Sequence, residues 1–228
     1  MASWFHDQRV FWRQFREHFH TTGSVLPSSR FLGRALARYV GANGTSCRVL
    51  EVGPGTGAVT EHIVRRLGQR DTLDLVELND EFVRRLNSRF ESEPSFREVA
   101  SRSRVLHQRV ESLEGGESYD VIVSGLPLNN FPVADVEHIL DVLLRLLKPG
   151  GTLSFFEYLA IRRARALVSS GQERVRLKGI GRALDKVLTP HEFRCDWVWP
   201  NVPPAAVHHV RLPNGNRPEA EGRRPEGA

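Results

Sequence analysis

Cysteine is scarce in this sequence of 228 residues: only Cys47 and Cys195 occur, and they form no CxxC pair. We therefore expect neither a disulfide framework nor a structural metal site. Long apolar runs are also missing, since no stretch approaches the roughly 18 uninterrupted apolar residues of a spanning helix. The first residues lack the run of about 7 to 15 apolar residues found in a secretory signal. These absences predict a cytoplasmic protein with an ordinary hydrophobic core.

Charge is present in both signs but is unevenly distributed. The sequence has 32 Lys and Arg against 27 Asp and Glu, a formal charge of +5. Residues 1–40 sum to +4, residues 41–159 to −5 and residues 160–188 to +6. Two basic segments therefore flank an acidic centre. They are either solvated faces of the fold or a surface for a polyanion, such as a membrane or a nucleic acid.

The N-terminal segment, residues 1–40, has helical patterns. Residues 4–20 place phenylalanines at every fourth position, with further aromatic residues beside them and arginines between them. This spacing predicts an amphipathic helix with an aromatic face. Ser28 and Ser29 predict the N-cap of a second helix that continues to about Val40.

Residues 41–212 alternate between strand and helix patterns. Five strands, separated by helices, are predicted at 47–52, 73–78, 104–110, 119–124 and 152–158. A basic helical insert at 160–188 and a closing hairpin of two strands, 192–199 and 205–212, follow. The alternation predicts a doubly wound α/β fold with a mostly parallel, seven-stranded, Rossmann-like sheet. Residues 213–228 have a polar composition typical of a disordered tail.

A glycine-rich turn follows the first predicted strand. Gly53, Gly55 and Gly57 form a GxGxG pattern between strand and helix, and Glu51 lies two residues before the first glycine. Ligands of such sheets bind at the carboxyl ends of the strands, where this turn lies. The spacing differs from the GxGxxG of dinucleotide-binding folds. We interpret these four residues as part of a cofactor site.

Two further acidic residues follow the next strands. Glu77 ends the second strand, where it is placed to accept hydrogen bonds from ribose hydroxyls, and Glu111 lies just past the third, within reach of an adenine amino group. With the glycine turn and the LKPGG sequence at 147–151, they resemble the cofactor site of class I methyltransferases. This resemblance covers roughly residues 45–160 and implies S-adenosylmethionine as cofactor. An acidic centre suits its cationic sulfonium better than a pyrophosphate, which disfavours NAD.

The acceptor is predicted from the segment after the fourth strand. Its sequence, SGLPLNNFP at 124–132, resembles the loop of bacterial phosphatidylethanolamine N-methyltransferases, which are similar here to ribosomal RNA adenine dimethylases. Segments 25–29, 155–158 and 201–207 resemble the same lipid enzymes. The resemblance implies methylation of a lipid amine head group: phosphatidylethanolamine, taken successively towards phosphatidylcholine, or another aminolipid such as ornithine lipid.

Candidate residues for the transfer follow from this interpretation. Ser124, Leu126 and Pro127 are predicted to bind the amine substrate, and Ser124 and Tyr158 are the candidate catalytic residues. Arg162 and Arg163 are candidates for holding a lipid phosphate. The basic flanks then predict an anionic membrane surface as partner, with peripheral attachment to the inner face of the membrane and no nucleic acid.

Two alternatives remain open at this point. An RNA adenine N6-methyltransferase is favoured by the basic segments and the related loop, although Ser124 replaces the asparagine that the dimethylases usually have. A lipid- or RNA-binding module with an inactive cofactor fold is the non-enzymatic alternative. The intact glycine turn and its acidic neighbours argue against the binding module.

Overall fold

A computed structural model describes residues 30–42, 46–113, 118–159 and 171–214. The predicted amphipathic helix at 4–20, the serine N-cap, Arg162, Arg163 and nearly all of the predicted tail lie outside these residues.

The described helices are α1 (Arg30–Leu36), α2 (Thr60–Val64), α3 (Asp80–Ser92), α4 (Pro94–Arg97), α5 (Val133–Leu146) and α6 (Gly171–His191). The strands are β1 (Arg48–Val52), β2 (Thr72–Glu77), β3 (Ser103–His107), β4 (Tyr119–Ser124), β5 (Leu147–Tyr158), β6 (Glu192–Val198) and β7 (Ala205–Arg211). Short 3₁₀ helices occur at Ala100–Arg102, Val110–Ser112 and Leu128–Asn130.

The seven strands form one sheet in the order β3-β2-β1-β4-β5-β7-β6. The first five strands are parallel to one another, whereas β7 is antiparallel to both β5 and β6. The predicted fold class is therefore confirmed. At the centre, Val52 of β1 pairs with Val76 of β2 on one side and Ser124 of β4 on the other. This register brings the carboxyl ends of the three central strands to one edge, which we call the carboxyl edge.

Helices cover both faces of the sheet, so the central strands are buried on both sides, as parallel strands require. One face packs Leu153 and Phe155 against α5 and α6. The other packs Val49 and Phe156 against α1 and α2. Helix α5 packs on its face of the sheet because most of its buried residues recur at intervals of three and four: Val136, Ile139, Leu140, Leu143 and Leu146, with Val142 beside them.

Several segments differ from the sequence prediction. The fifth strand begins at Leu147 rather than at residue 152, and the helix predicted to continue to about Val40 ends at Leu36. The third strand ends at His107 rather than at residue 110, because the chain turns there and buries Val110 in a 3₁₀ helix. The described part of the predicted basic insert is a core helix, α6, which buries Leu177, Ile180 and Leu184. Four of its basic residues are exposed: Arg174, Lys178, Arg182 and Lys186. In the described ranges, no helix combines the length and apolarity that crossing a bilayer requires.

Candidate active site

The glycine turn at the end of β1 is tightly curved. Gly53, Gly55 and Gly57 all have positive φ angles, of 68°, 58° and 83°, which favour glycine over other residues. A β-carbon on Gly53 would also lie 2.6 Å from Cδ2 of Leu126. The turn therefore packs directly against the loop after β4, and both loops face the carboxyl edge.

Glu77, the last residue of β2, is buried beside this turn. One carboxylate oxygen accepts hydrogen bonds from the N–H groups of Leu78, at 2.9 Å, and Asn79, at 2.8 Å. The other accepts from the N–H of Gly55 at 3.0 Å. Burial raises the pKa of Glu77, while these three donors lower it. The carboxylate thus braces the glycine turn from the neighbouring strand.

Glu51 is fully buried one strand away. Its Oε2 accepts a hydrogen bond from the hydroxyl of Thr60 at 2.7 Å, whereas its Oε1 has no partner among the described residues. Burial, together with the negative charge of Glu77, raises the pKa of Glu51 to about 8 against the opposing effect of the Thr60 hydrogen bond. A buried carboxyl with an unpaired oxygen disfavours its own ionisation unless a cation or a donor comes near. This environment fits a cationic cofactor.

An open cleft adjoins Gly53 and Glu77. The predicted residue Glu111 also lines it and pairs with Arg109 at 3.3 Å. The remaining lining is mainly apolar and comes from the ends of β1 and β2, the segment after β3, the loop after β4 and helix α5: Val52, Val76, Leu78, Gln108, Val110, Leu126, Phe131, Asp135 and Ile139. Four predicted site residues, Gly53, Glu77, Glu111 and Leu126, therefore share one cleft.

Arg89 of α3 is a structural partner of the glycine turn that sequence reasoning missed. Its Nη1 donates to the carbonyl oxygens of Thr56, at 3.0 Å, and Gly57, at 2.7 Å. Its other two nitrogens each donate to Glu93 at 2.7 Å. In the sequence, Arg89 and Glu93 are indistinguishable from an ordinary exposed i,i+4 ion pair. Only the fold shows that this guanidinium holds the turn.

The loop after β4 begins with the predicted substrate residues. Gly125 donates its N–H to the carbonyl of Val52 at 2.8 Å, which fixes the loop to the end of β1. The buried hydroxyl of Ser124 accepts from the N–H of Leu126 at 3.4 Å. The carbonyl of Leu126 in turn accepts the N–H of Leu128 at 3.0 Å. Both Ser124 and Leu126 are thus engaged in shaping the loop, and Pro127 is partly exposed.

Asn129, in the same loop, is a second residue that the sequence prediction missed. Its side chain is 3% exposed, yet neither its amide oxygen nor its amide nitrogen has a hydrogen-bond partner in the described structure. Its backbone carbonyl accepts from Arg176 of α6 at 3.1 Å, and Arg176 also holds the carbonyl of Phe131 at 2.8 Å. The loop is anchored from outside, while its buried amide is left free to bond.

Tyr158, the predicted catalytic residue, ends β5. Its ring packs edge-on against Phe156 with centroids 5.0 Å apart, and burial raises the pKa of its hydroxyl. Glu157 faces the other side of the sheet, where its Oε1 lies 3.3 Å from Nε2 of His208. Within the described part of the chain, Tyr158 is not among the residues that line the cleft.

Comparison with known proteins supports the features above. A family model described as a methyltransferase domain matches residues 49–151. The chain is 31% identical over 145 residues to the ornithine lipid N-methyltransferase of Singulisphaera acidiphila, covering 64% of this chain and 74% of that protein. It is 37% identical over 79 residues to ribosomal RNA small subunit methyltransferase A of Dehalococcoides mccartyi, covering 35% of this chain but only 25% of that protein.

Solved structures agree on the fold. The O-methyltransferase of Bacillus cereus in complex with SAH has a TM-score of 0.64 at 17% identity, covering 88% of this chain and 90% of that one. TomG, an O-methyltransferase of Streptomyces achromogenes in complex with SAM, has a TM-score of 0.64 at 14% identity, covering 89% of each chain.

Fold and comparisons together define a Rossmann-like enzyme that uses a nucleoside cofactor. The chain belongs to the class I S-adenosylmethionine-dependent methyltransferases, and S-adenosylmethionine is its cofactor.

Proposed function

We propose that the protein N-methylates the amine head group of a membrane lipid, either ornithine lipid or phosphatidylethanolamine. The observation that carries this proposal is the similarity to the ornithine lipid N-methyltransferase, which extends over 74% of that protein. Phosphatidylethanolamine, taken successively towards phosphatidylcholine, is supported by the sequence resemblance of the loop after β4. Both substrates present a primary amine at a lipid–water interface.

Cofactor binding is assigned to the turn and the acids around it. S-adenosylmethionine supplies an electrophilic methyl group on a positively charged sulfur. We assign the backbone of the glycine turn and the carboxylate of Glu77 to hold its nucleoside, with Glu77 accepting from ribose hydroxyls and Glu111 from the adenine amino group. Glu51, with its unpaired oxygen, gives this end of the sheet a negative charge when ionised.

The acceptor amine must be neutral to react. A primary ammonium titrates near 10.4, so deprotonating it at neutral pH costs about 4 to 5 kcal/mol. An apolar setting favours the neutral amine, and Leu126, Phe131 and Ile139 supply one in the cleft. We assign the loop after β4, from Ser124 through Pro127, to position this amine. The same side chains also exclude water, which prevents side reactions during methyl transfer.

Tyr158 is proposed as the hydrogen-bond partner of the amine proton or as an aromatic face for the methylated cation. Because burial raises the pKa of its hydroxyl, Tyr158 keeps its own proton at neutral pH and accepts through a lone pair. Glu157 is a poor candidate for the base, since its carboxylate already pairs with His208 of β7. Arg162 and Arg163 keep their proposed role at the lipid phosphate.

Ribosomal RNA adenine methylation is the second candidate. It is favoured by the 37% identity to the ribosomal RNA enzyme, although that match spans only 79 residues.

A transfer assay separates the two. The purified protein is incubated with methyl-labelled S-adenosylmethionine and with vesicles containing ornithine lipid, vesicles containing phosphatidylethanolamine, or ribosomal RNA. We expect methylated lipid by mass spectrometry and no labelled RNA. A Glu77→Gln variant is the control for cofactor-dependent transfer. Labelled RNA without any methylated lipid, from a folded protein that binds the cofactor, would refute the proposal.

A further inference from the structure

The hairpin of β6 and β7 carries exposed aromatic surface that the catalytic site does not use. Trp197 and Trp199 are 57% and 66% exposed, and their rings stack with centroids 5.9 Å apart and planes 15° apart. Val202, in the turn that follows, is 68% exposed. We call Trp197, Trp199 and Val202 the tryptophan patch. Exposed aromatic rings that stack on one another are typical of an interaction surface.

The patch lies towards the carboxyl edge of the sheet. Strands β5 and β6 are both antiparallel to β7, so they run in the same direction. Ala205 of β7 pairs with Tyr158 of β5 on one side and with Val198 of β6 on the other. The chain therefore leaves β6 at Trp199 on the same edge at which the glycine turn and the loop after β4 leave their strands.

The chain on either side of this turn is fixed to the end of β5. The N–H of Leu159, the residue after β5, donates to the carbonyl of Pro204 at 2.9 Å. Asn201 contributes a second constraint, since its side-chain nitrogen donates to the carbonyl of Pro203 at 2.7 Å. The patch is thus held by a braced turn next to the end of β5, where the candidate catalytic residue Tyr158 lies.

Unpaired cations lie towards the same edge on the other face of the sheet. Helix α1 ends near the amino end of β6, where Tyr39 packs against Phe193 with ring centroids 5.1 Å apart. Its start points to the carboxyl edge, since a β-carbon on Gly33 would lie 3.4 Å from the carbonyl of Ala58, just after the glycine turn. Arg30 and Arg34 are exposed there, and neither has a carboxylate partner within the described ranges.

We propose that the tryptophan patch, together with Arg30 and Arg34, docks the carboxyl edge of the sheet onto an anionic lipid bilayer. This inference rests on the proposed function, because a lipid substrate must reach the cleft from the membrane. Tryptophan prefers the interface between head groups and acyl chains, and arginine is attracted to anionic lipid. At this edge, the exposed aromatic rings match the boundary between head groups and acyl chains, and the two arginines match the anionic head groups. In this orientation the mouth of the cleft faces the lipid.

Fluorescence provides a direct test, because the sequence has only four tryptophans. Replacing Trp4, Trp12 and Trp197 by phenylalanine leaves Trp199 as the sole emitter. With vesicles of phosphatidylglycerol and phosphatidylethanolamine, we expect a blue shift and quenching by brominated acyl chains. If Trp199 stays unquenched while the protein floats with the vesicles, another surface makes the contact and the proposal is wrong.

A second measurement compares vesicle partitioning of two variants. For the double variant Trp197→Ala and Trp199→Ala, we expect the partition coefficient to fall about tenfold or more. Its kcat on a short-chain, monomeric aminolipid should be unchanged, while its KM for vesicle substrate rises. Phe193→Ala removes an exposed aromatic ring from the opposite end of the same strand and should partition like the original protein.

The remaining outcomes decide between occupants of the patch. Unchanged partitioning of the double variant, or its conversion of a dimeric protein to monomers in light scattering, would overturn membrane docking. Quenched Trp199 in a protein that methylates no lipid would contradict the proposed function while leaving the docking surface in place.

Discussion

The carboxylate of Glu77 accepts a hydrogen bond from the N–H of Gly55 at 3.0 Å, so the end of β2 holds the turn that follows β1. The same side chain is the candidate acceptor for ribose hydroxyls. One residue therefore links the shape of the turn to the position of the nucleoside, and substitutions at the site affect both.

Glu77→Gln is expected to weaken cofactor binding about tenfold or more and to destabilise the fold by about 1 to 2 kcal/mol. All three contacts of the carboxylate come from N–H donors, so an amide nitrogen must face at least one of them. Calorimetry with S-adenosylmethionine and urea unfolding measure the two effects. Glu81→Gln, at an exposed acid of the first turn of α3, should change neither.

Arg89→Ala is expected to destabilise the protein by about 2 to 3 kcal/mol and to weaken cofactor binding several-fold. The variant leaves the carbonyls of Thr56 and Gly57 without their donor and Glu93 without its partner. Arg84→Ala is the matched control, because Arg84 forms an exposed i,i+4 pair with Asp80 on the same helix. The prediction fails if the two variants unfold at the same urea concentration.

Glu51 makes the stability of the cofactor-free protein depend on pH. Its pKa of about 8 in the fold, against an ordinary 4.5, means that the native state holds a proton that the unfolded state releases. Stability is therefore fully present below about pH 4.5 and is lost as the pH rises through about 8. Urea unfolding between about pH 5 and pH 9 measures this slope, and Glu51→Gln should flatten it.

The same group predicts a proton linkage in cofactor binding. A bound cation favours the ionised carboxylate, so binding below about pH 8 should release a proton and affinity should rise towards that pH. Calorimetry in buffers of different ionisation enthalpy counts the proton. Equal heats in all buffers, with Glu51 intact, would contradict this linkage.

Asn129→Leu separates binding from folding. Because the buried amide has no partner, a leucine of similar volume should leave stability unchanged or raise it by about 1 kcal/mol. If the amide positions the acceptor, kcat/KM for the lipid amine should fall while cofactor affinity stays the same. Thermal unfolding, calorimetry and the lipid assay test the three parts. A loss of stability without a loss of activity would assign Asn129 to the fold alone.

Short stretches of sequence determine many features of this fold, and those features could be predicted. The alternation of strands and helices and the glycine turn at the end of β1 depend on hydrophobic periodicity and backbone freedom, which short stretches of sequence encode. The positions of Glu51 and Glu77 follow, because parallel strands end at one edge. Asn79 also caps α3 as its residue type predicts, accepting from the N–H of Glu81 at 2.9 Å.

Other features depend on which elements the fold brings together. Arg89 reaches back 32 residues to Gly57, and Arg176 reaches back 47 residues to Asn129. No sequence pattern predicts either contact, because residues far apart along the chain can lie next to each other in the folded core. The described part of the basic insert is a core helix for the same reason: one face of α6 packs against the apolar face of α5.

The sequence by itself determined the class of fold, the glycine turn at the end of β1 and the family. Only the tertiary structure decided that Glu51 is buried with an unpaired oxygen and that the tryptophan patch lies towards the same edge as the cleft. The physical reason is that burial and strand order are properties of the packed sheet. The burial of the Glu51 carboxylate and the position of the two indole rings both depend on neighbours that lie far away along the chain.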